Sequence, residues 1–260
     1  MQVISDIGGP GGVPQRRPGD RLVASIDVEW SKNYRIKNGN RAFCYSIVWL
    51  AAPAFDPPTL DSALPFQSTS VYVDSDRELP DLVEAAAIDI AVAAETADLI
   101  TGHQLCSDLA VLAANAGPAT PAALTVAQRA WRERRAQNAR RVIDTRFDAG
   151  HLLFNTSRRL VDVCGELDLE VSQPELARKS MTALHRDWLT RHDTEARERV
   201  TVLNLRHSLS TAYVAMRAAG HATWTAPLNV NAALAVHLAG RVRWVEHPTF
   251  RALLGRRRTR

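Results

Sequence analysis

The stretch Arg21-Leu22-Val23-Ala24-Ser25-Ile26-Asp27-Val28-Glu29-Trp30 decides how the rest of the chain reads. It alternates and then ends in an acidic pair, the pattern of a strand whose last residues reach an edge. Successive side chains of a strand point to opposite faces, so Asp27 and Glu29, two apart, project together. Two carboxylates on one face repel unless a cation lies between them, and hard divalent ions take this kind of oxygen ligation. An exposed strand end carries the same letters, so the pair taken alone leaves both readings open.

Working outward, the polar run 31–40 contains the step Asn38-Gly39, a hairpin signal. It leads into RAFCYSIVWLAAP (41–53), aromatic and β-branched, which predicts a second strand. Pro53, Pro57 and Pro58 break the chain, and residues 68–75 predict a third. Residues 82–97 are Ala-rich and helical; 98–117 predict a short strand, a turn at Gly102 and a helix. A basic helix is expected over 121–141 and an apolar strand over 140–148. Helical segments follow over 158–170, 174–192 and 196–220, the last with a stripe at Leu205, Leu209, Ala212 and Met216. The order predicts an α/β fold, a mixed sheet with an antiparallel hairpin edge, flanked by helices. Residues 1–20, rich in Gly and Pro, are expected to be a flexible arm. Residues 21–220 are expected to form one domain, and 221–260 a C-terminal extension with a basic tail.

Composition narrows the classes. The 260 residues are 46% apolar and 23% charged with a net charge of +4, as in ordinary globular proteins. No apolar run reaches the length of a membrane span, and the N-terminus lacks a secretory pattern. The three cysteines, Cys44, Cys106 and Cys164, are scattered, form no C-x-x-C and suit a cytoplasmic, reducing setting. Gly8-Gly9-Pro10-Gly11-Gly12 is not a phosphate loop, since no Gly-Lys-Ser/Thr follows. Lys32, Lys37 and Lys179 are the only lysines. The arginine bias fits phosphate recognition and equally fits a codon preference.

Three more segments follow the acidic pair in order. Ile100–Leu109 contains Gly102-His103-Gln104 and Asp108, Val142–Thr145 contains Asp144, and a helix covers Leu203–Tyr213. This succession resembles the DEDD superfamily of 3′–5′ exonucleases, which have a ribonuclease H-like fold, over residues 21–219. On that resemblance Asp27 and Glu29 form the first motif. Gly102-His103-Gln104 with Asp108 forms the second, Gln104 standing where the family usually has Asn. Asp144-Thr145 matches a pair that is usually structural, and Asp144 is expected to cap the next helix. The third motif departs from the pattern. One register puts His207 at the family's last acid and Leu203 at its Tyr, with Thr211 agreeing. The other makes His207 a general base and puts Ala212 at the final ligand. Either way the fourth carboxylate is missing, because no Asp or Glu occurs between Glu198 and Glu246. Glu198, nine residues back at about 100° each, faces away from His207.

The resemblance implies a metal-dependent exonuclease acting on single-stranded DNA or RNA by two-metal catalysis. Asp27, Glu29, Asp108 and His207 would be its catalytic and metal-ligating residues, and Mg²⁺ or Mn²⁺ its cofactor. An imidazole ligand favours Mn²⁺. The alternative is a catalytically degenerate module that binds nucleic acid or a protein. Arg129, Trp131, Arg132 and Arg135 of the basic helix, with Lys32 and Arg35 of the first hairpin, are the candidate nucleic-acid contacts. A solvated helix face with one buried tryptophan, or a polar hairpin tip, would look alike, as would a solvated C-terminus for Arg256–Arg260. His103, Gln104 and Asp144 are expected to shape the strand ends around the site.

Overall fold

Strands β1 (Gln2–Ser5), β2 (Asp20–Ser31) and β3 (Arg41–Pro53) are followed by β4 (Thr59–Leu60) and β5 (Phe66–Tyr72). Helix α1 (Leu79–Thr96), β6 (Leu99–Gly102), α2 (Leu105–Ala116), α3 (Ala122–Glu133) and β7 (Val142–Asp144) come next. Then come α4 (Thr145–Asp148), α5 (Leu160–Glu166), β8 (Leu169–Glu170), α6 (Met181–Arg191) and α7 (Thr194–Ala218). The chain closes through β9 (Thr223–Trp224), β10 (Leu228–Asn229), α8 (Val230–Leu238) and α9 (Pro248–Arg251). The computed structural model describes residues 1–32, 39–117, 120–136 and 141–254.

Six strands form one mixed sheet in the order β1-β5-β3-β2-β6-β7. β2 and β3 pair antiparallel with Asp27 opposite Ser46 and Glu29 opposite Cys44, and the register slips just after Glu29. β6 and β7 add in parallel on the other side of β2, as helical crossovers require. Helices cover both faces, which explains why β2 and β3 are apolar along nearly their whole length. Alternate residues of β3 serve opposite cores. Tyr45, Ile47 and Trp49 pack with Leu82, Ile90 and Leu112 beneath α1 and α2. Val48 and Leu50 pack with Leu205, Leu209 and Leu234 beneath α7 and α8. No helix of the described residues is long and apolar enough to cross a membrane.

Two expected boundaries are corrected. The arm expected to be flexible contributes β1, which pairs with β5 at the sheet edge. The Gly11 amide then donates to buried Asp89 and the Gln15 amide to Gln67. Four residues suffice for an edge strand, too few for alternation to stand out against Gly and Pro. The expected C-terminal extension is part of the second core, through Trp224, Leu238, Trp244 and Phe250. Arg35 and the terminal arginines 256–260 lie outside the described residues, and Lys32 is exposed just beyond β2.

His185 on α6 gives the fold a pH dependence. Its ring stacks on Phe43 at 4.0 Å, its Nδ1 meets the Tyr72 hydroxyl at 3.1 Å, and burial lowers its pKa to about 4. The folded state therefore favours the neutral ring. That contribution is complete above pH 6.5 and is lost as pH falls from 6.5 through 4. At about 1.4 kcal/mol per pH unit, the loss reaches roughly 2–3 kcal/mol. His185→Phe should flatten the decline in urea-unfolding free energy over this window by that amount. An unchanged slope would assign the acid sensitivity to other groups.

Candidate metal centre

The site forms where α7 crosses the end of β2. The crossing is close because serines meet there: Ser46 and Ser208 are fully buried, with hydroxyl oxygens 2.7 Å apart. Asp193 caps α7 by accepting from the Ala196 amide. Asn204 and His207, three residues apart, share one helix face. The Asn204 amide donates to Asp27 Oδ2 at 2.7 Å and to the Asp27 carbonyl at 3.2 Å. His207 Nδ1 lies 3.0 Å from Glu29 Oε1 and 3.6 Å from Asp27 Oδ2. Its Nε2 meets the Gln173 side-chain amide at 2.9 Å. Asp27, Glu29 and His207 thus offer ligand atoms that all lie within 4.8 Å of one another.

Charge governs this cluster. Burial and the neighbouring Asp27 charge raise Glu29 to about 7. For His207, burial opposes the charged ring, but hydrogen bonds and attraction from Asp27 and Glu29 prevail and raise it to about 10. At neutral pH a proton is therefore held between the His207 ring and Glu29, beside Asp27.

Asp108, in the first turn of α2, is 3% exposed, and its Oδ2 has no hydrogen-bond partner among the described residues. Burial, then the charges of Asp27 and Glu29, raise its pKa well above the ordinary carboxylate range. It is electrostatically coupled to the cluster but stands outside the close trio. Gly102 before α2 has no room for a side chain: a Cβ would fall 2.8 Å from that of Leu105.

His103 is held by two contacts, at 2.9 Å each, with Thr145 Oγ1 and the Arg158 carbonyl. Burial lowers its pKa to about 4. In the neutral ring Nε2–H donates to the carbonyl, which leaves Nδ1 to accept from the threonine. Gln104 is the left-handed residue before α2; its amide donates to Asp144 and its side chain to Ser107. Asp144 caps α4, accepting from the Arg146 amide, and also accepts from the Trp131 indole at 2.8 Å.

That last bond gives Trp131 a structural role beside the one expected for it. The Arg134 guanidinium covers one face of its half-buried ring at 4.1 Å and Phe147 meets it edge-on, so the indole takes part in packing. Arg135 pairs with Asp148 at 2.9 Å. Arg129 and Arg132 are exposed on α3. Ala212 is fully buried in the second core, so His207 is the residue α7 brings to the acids. Glu198 points elsewhere, accepting from the Trp244 amide at 2.9 Å.

Asn204 and Gln173 are site residues that sequence reasoning missed. Helical spacing from His207 would have found Asn204; Gln173 comes from an irregular segment with no local signal. The donor set fits a divalent cation. Two carboxylates converge with one imidazole, a third has a buried oxygen without a partner among the described residues, and burial together with mutual repulsion raises two of the acids. Nitrogen among oxygen donors suits Mn²⁺ better than Mg²⁺. No protein-family model and no curated protein matches the chain.

Proposed function

We propose that the chain hydrolyses phosphodiester bonds of single-stranded nucleic acid as a metal-dependent 3′–5′ exonuclease. The observation that carries this reading is the convergence of His207 on Asp27 and Glu29 beside the partnerless carboxylate of Asp108. The sheet supports the ribonuclease H-like part of the reading. Its first three long strands are antiparallel neighbours, and two parallel strands extend it from the first.

Asp27, Glu29, Asp108 and His207 would hold the metal, which when bound supplies charge neutralisation and a more acidic water. Asn204 fixes the Asp27 carboxylate, and Gln173 fixes the His207 ring. Glu29 and His207 share a proton that must leave before both can act as ligands, so metal affinity should rise with pH. The test is a 5′-labelled oligonucleotide incubated with Mg²⁺ or Mn²⁺. Stepwise shortening from the 3′ end, stopped by EDTA, is expected; intact substrate in both metals would end the reading.

The 3.0 Å contact between His207 and Glu29 favours a second reading, in which the imidazolium does the neutralising and the fold binds without cutting. His207→Asp separates the two. In a nuclease that uses its histidine, the variant should shift preference from Mn²⁺ to Mg²⁺ by about tenfold in relative rate, about 1.4 kcal/mol. A silent parent that gains activity with this change would instead favour the binding module.

A further inference from the structure

Phe154 is 99% exposed. A loop with freedom to rearrange would bury such a ring, but this one is tied down. Glu166 accepts from the Phe154 and Asn155 amides at 2.8 and 3.1 Å. The Arg158 guanidinium donates to the carbonyls of Asn155 and Ser157 at 2.7 and 3.0 Å. Ser157 in turn donates to Asp162 at 2.6 Å. The phenyl ring is thus held in water by the hydrogen bonding of its own loop.

The surroundings indicate what covers it. The Arg158 carbonyl accepts from His103 and from Arg146, which joins the loop to the rim of the acid cluster. His103 senses the charges of both Asp27 and His207. Arg146 and Arg158 make no ion pair among the described residues, while Asp148 is taken up by Arg134 and Arg135. Arg159 is 77% exposed and only 3.9 Å from Asp162. Glu166 lies in the field of Arg158, so three guanidinium groups face two loop carboxylates and leave cationic charge in excess. A rigid apolar ring beside that excess matches a polymer with flat apolar faces and regularly spaced anions. Bases within a duplex do not present their faces; those of a single strand do.

We propose that Phe154 stacks on a base of a single-stranded nucleic acid whose phosphates lie against Arg146, Arg158 and Arg159. The proposal rests on the reading of the acid cluster as a phosphodiester site only for the identity of the polymer.

The test is anisotropy of a fluorescein-labelled oligothymidylate in EDTA, where binding is read without cleavage. Phe154→Ala should weaken binding about tenfold, the size of one base–aromatic stack, and Phe154→Trp should retain it. Affinity for a blunt duplex should be the same in all three proteins. Single-strand binding unchanged by Phe154→Ala overturns the stack, as does an equal loss on both polymers or a parent that binds neither. Cleavage assays report separately on the acid cluster. An active parent with Phe154-independent binding overturns the stack and leaves hydrolysis standing. Phe154-dependent binding in a protein that cuts with neither metal upholds the stack and overturns hydrolysis.

Discussion

Asp27→Asn should abolish metal-dependent cleavage while leaving the fold at least as stable as the parent. The first half follows from chemistry. Asp27 would be one of the residues holding the metal, whose charge stabilisation is worth several kcal/mol, and 4 kcal/mol is about a thousandfold in rate. The second half follows from electrostatics. The Asp27 charge contributes to raising both Glu29 and Asp108, so its removal relieves repulsion within a buried group of acids. The asparagine still has an oxygen to accept from Asn204, which now donates to Asp27 Oδ2. Rate measurements and a urea melt on one preparation check both halves. A variant that cleaves like the parent would remove Asp27 from the chemistry. A large loss of stability would mean that the acids hold the fold together, contrary to the charge argument.

Arg206→Met should cost about 3–5 kcal/mol, the range for stripping one partner from a buried ion pair. Arg206 and Glu175 are both fully buried, with their two oxygen–nitrogen contacts at 2.6 and 2.7 Å. Asn231 Oδ1 accepts from Arg206 Nε, and the Trp244 indole donates to Glu175 at 2.9 Å. The variant leaves a carboxylate in an apolar core with only an indole for company. Adding Glu175→Gln removes that charge and should recover part of the loss, which an unpaired-charge mechanism requires and a simple packing defect does not. Urea denaturation of the two variants and the parent gives the comparison. A loss under about 1 kcal/mol for Arg206→Met would place the pair among those worth little.

The parts of this molecule visible in the sequence are those that local pattern controls. Long apolar runs specify β2 and β3 because both of their faces are covered, and the i, i+2 spacing of Asp27 and Glu29 is a property of any strand. The stripe from Leu205 to Met216 likewise marks the buried face of α7. What escaped notice depends on partners far away in sequence. Arg206 lies next to His207 in a helix that reads as ordinary, and its partner is 31 residues earlier. The bond of the Trp131 indole escaped because the carboxylate that accepts it is 13 residues downstream. Phe154 has no local signal at all, since a phenylalanine in a loop is usually tucked inward, and the bonds that hold this one outward come from residues up to 12 positions away.

The serine contact beneath α7 has one more consequence. Ser46 and Ser208 act as a shim between helix and sheet, and their thickness sets how far His207 stands from Glu29. A side chain larger by a methyl or two at either position would lift the helix and stretch that spacing, with every charged group still in place. The reach of the cluster is therefore adjustable from within the core by sterics alone.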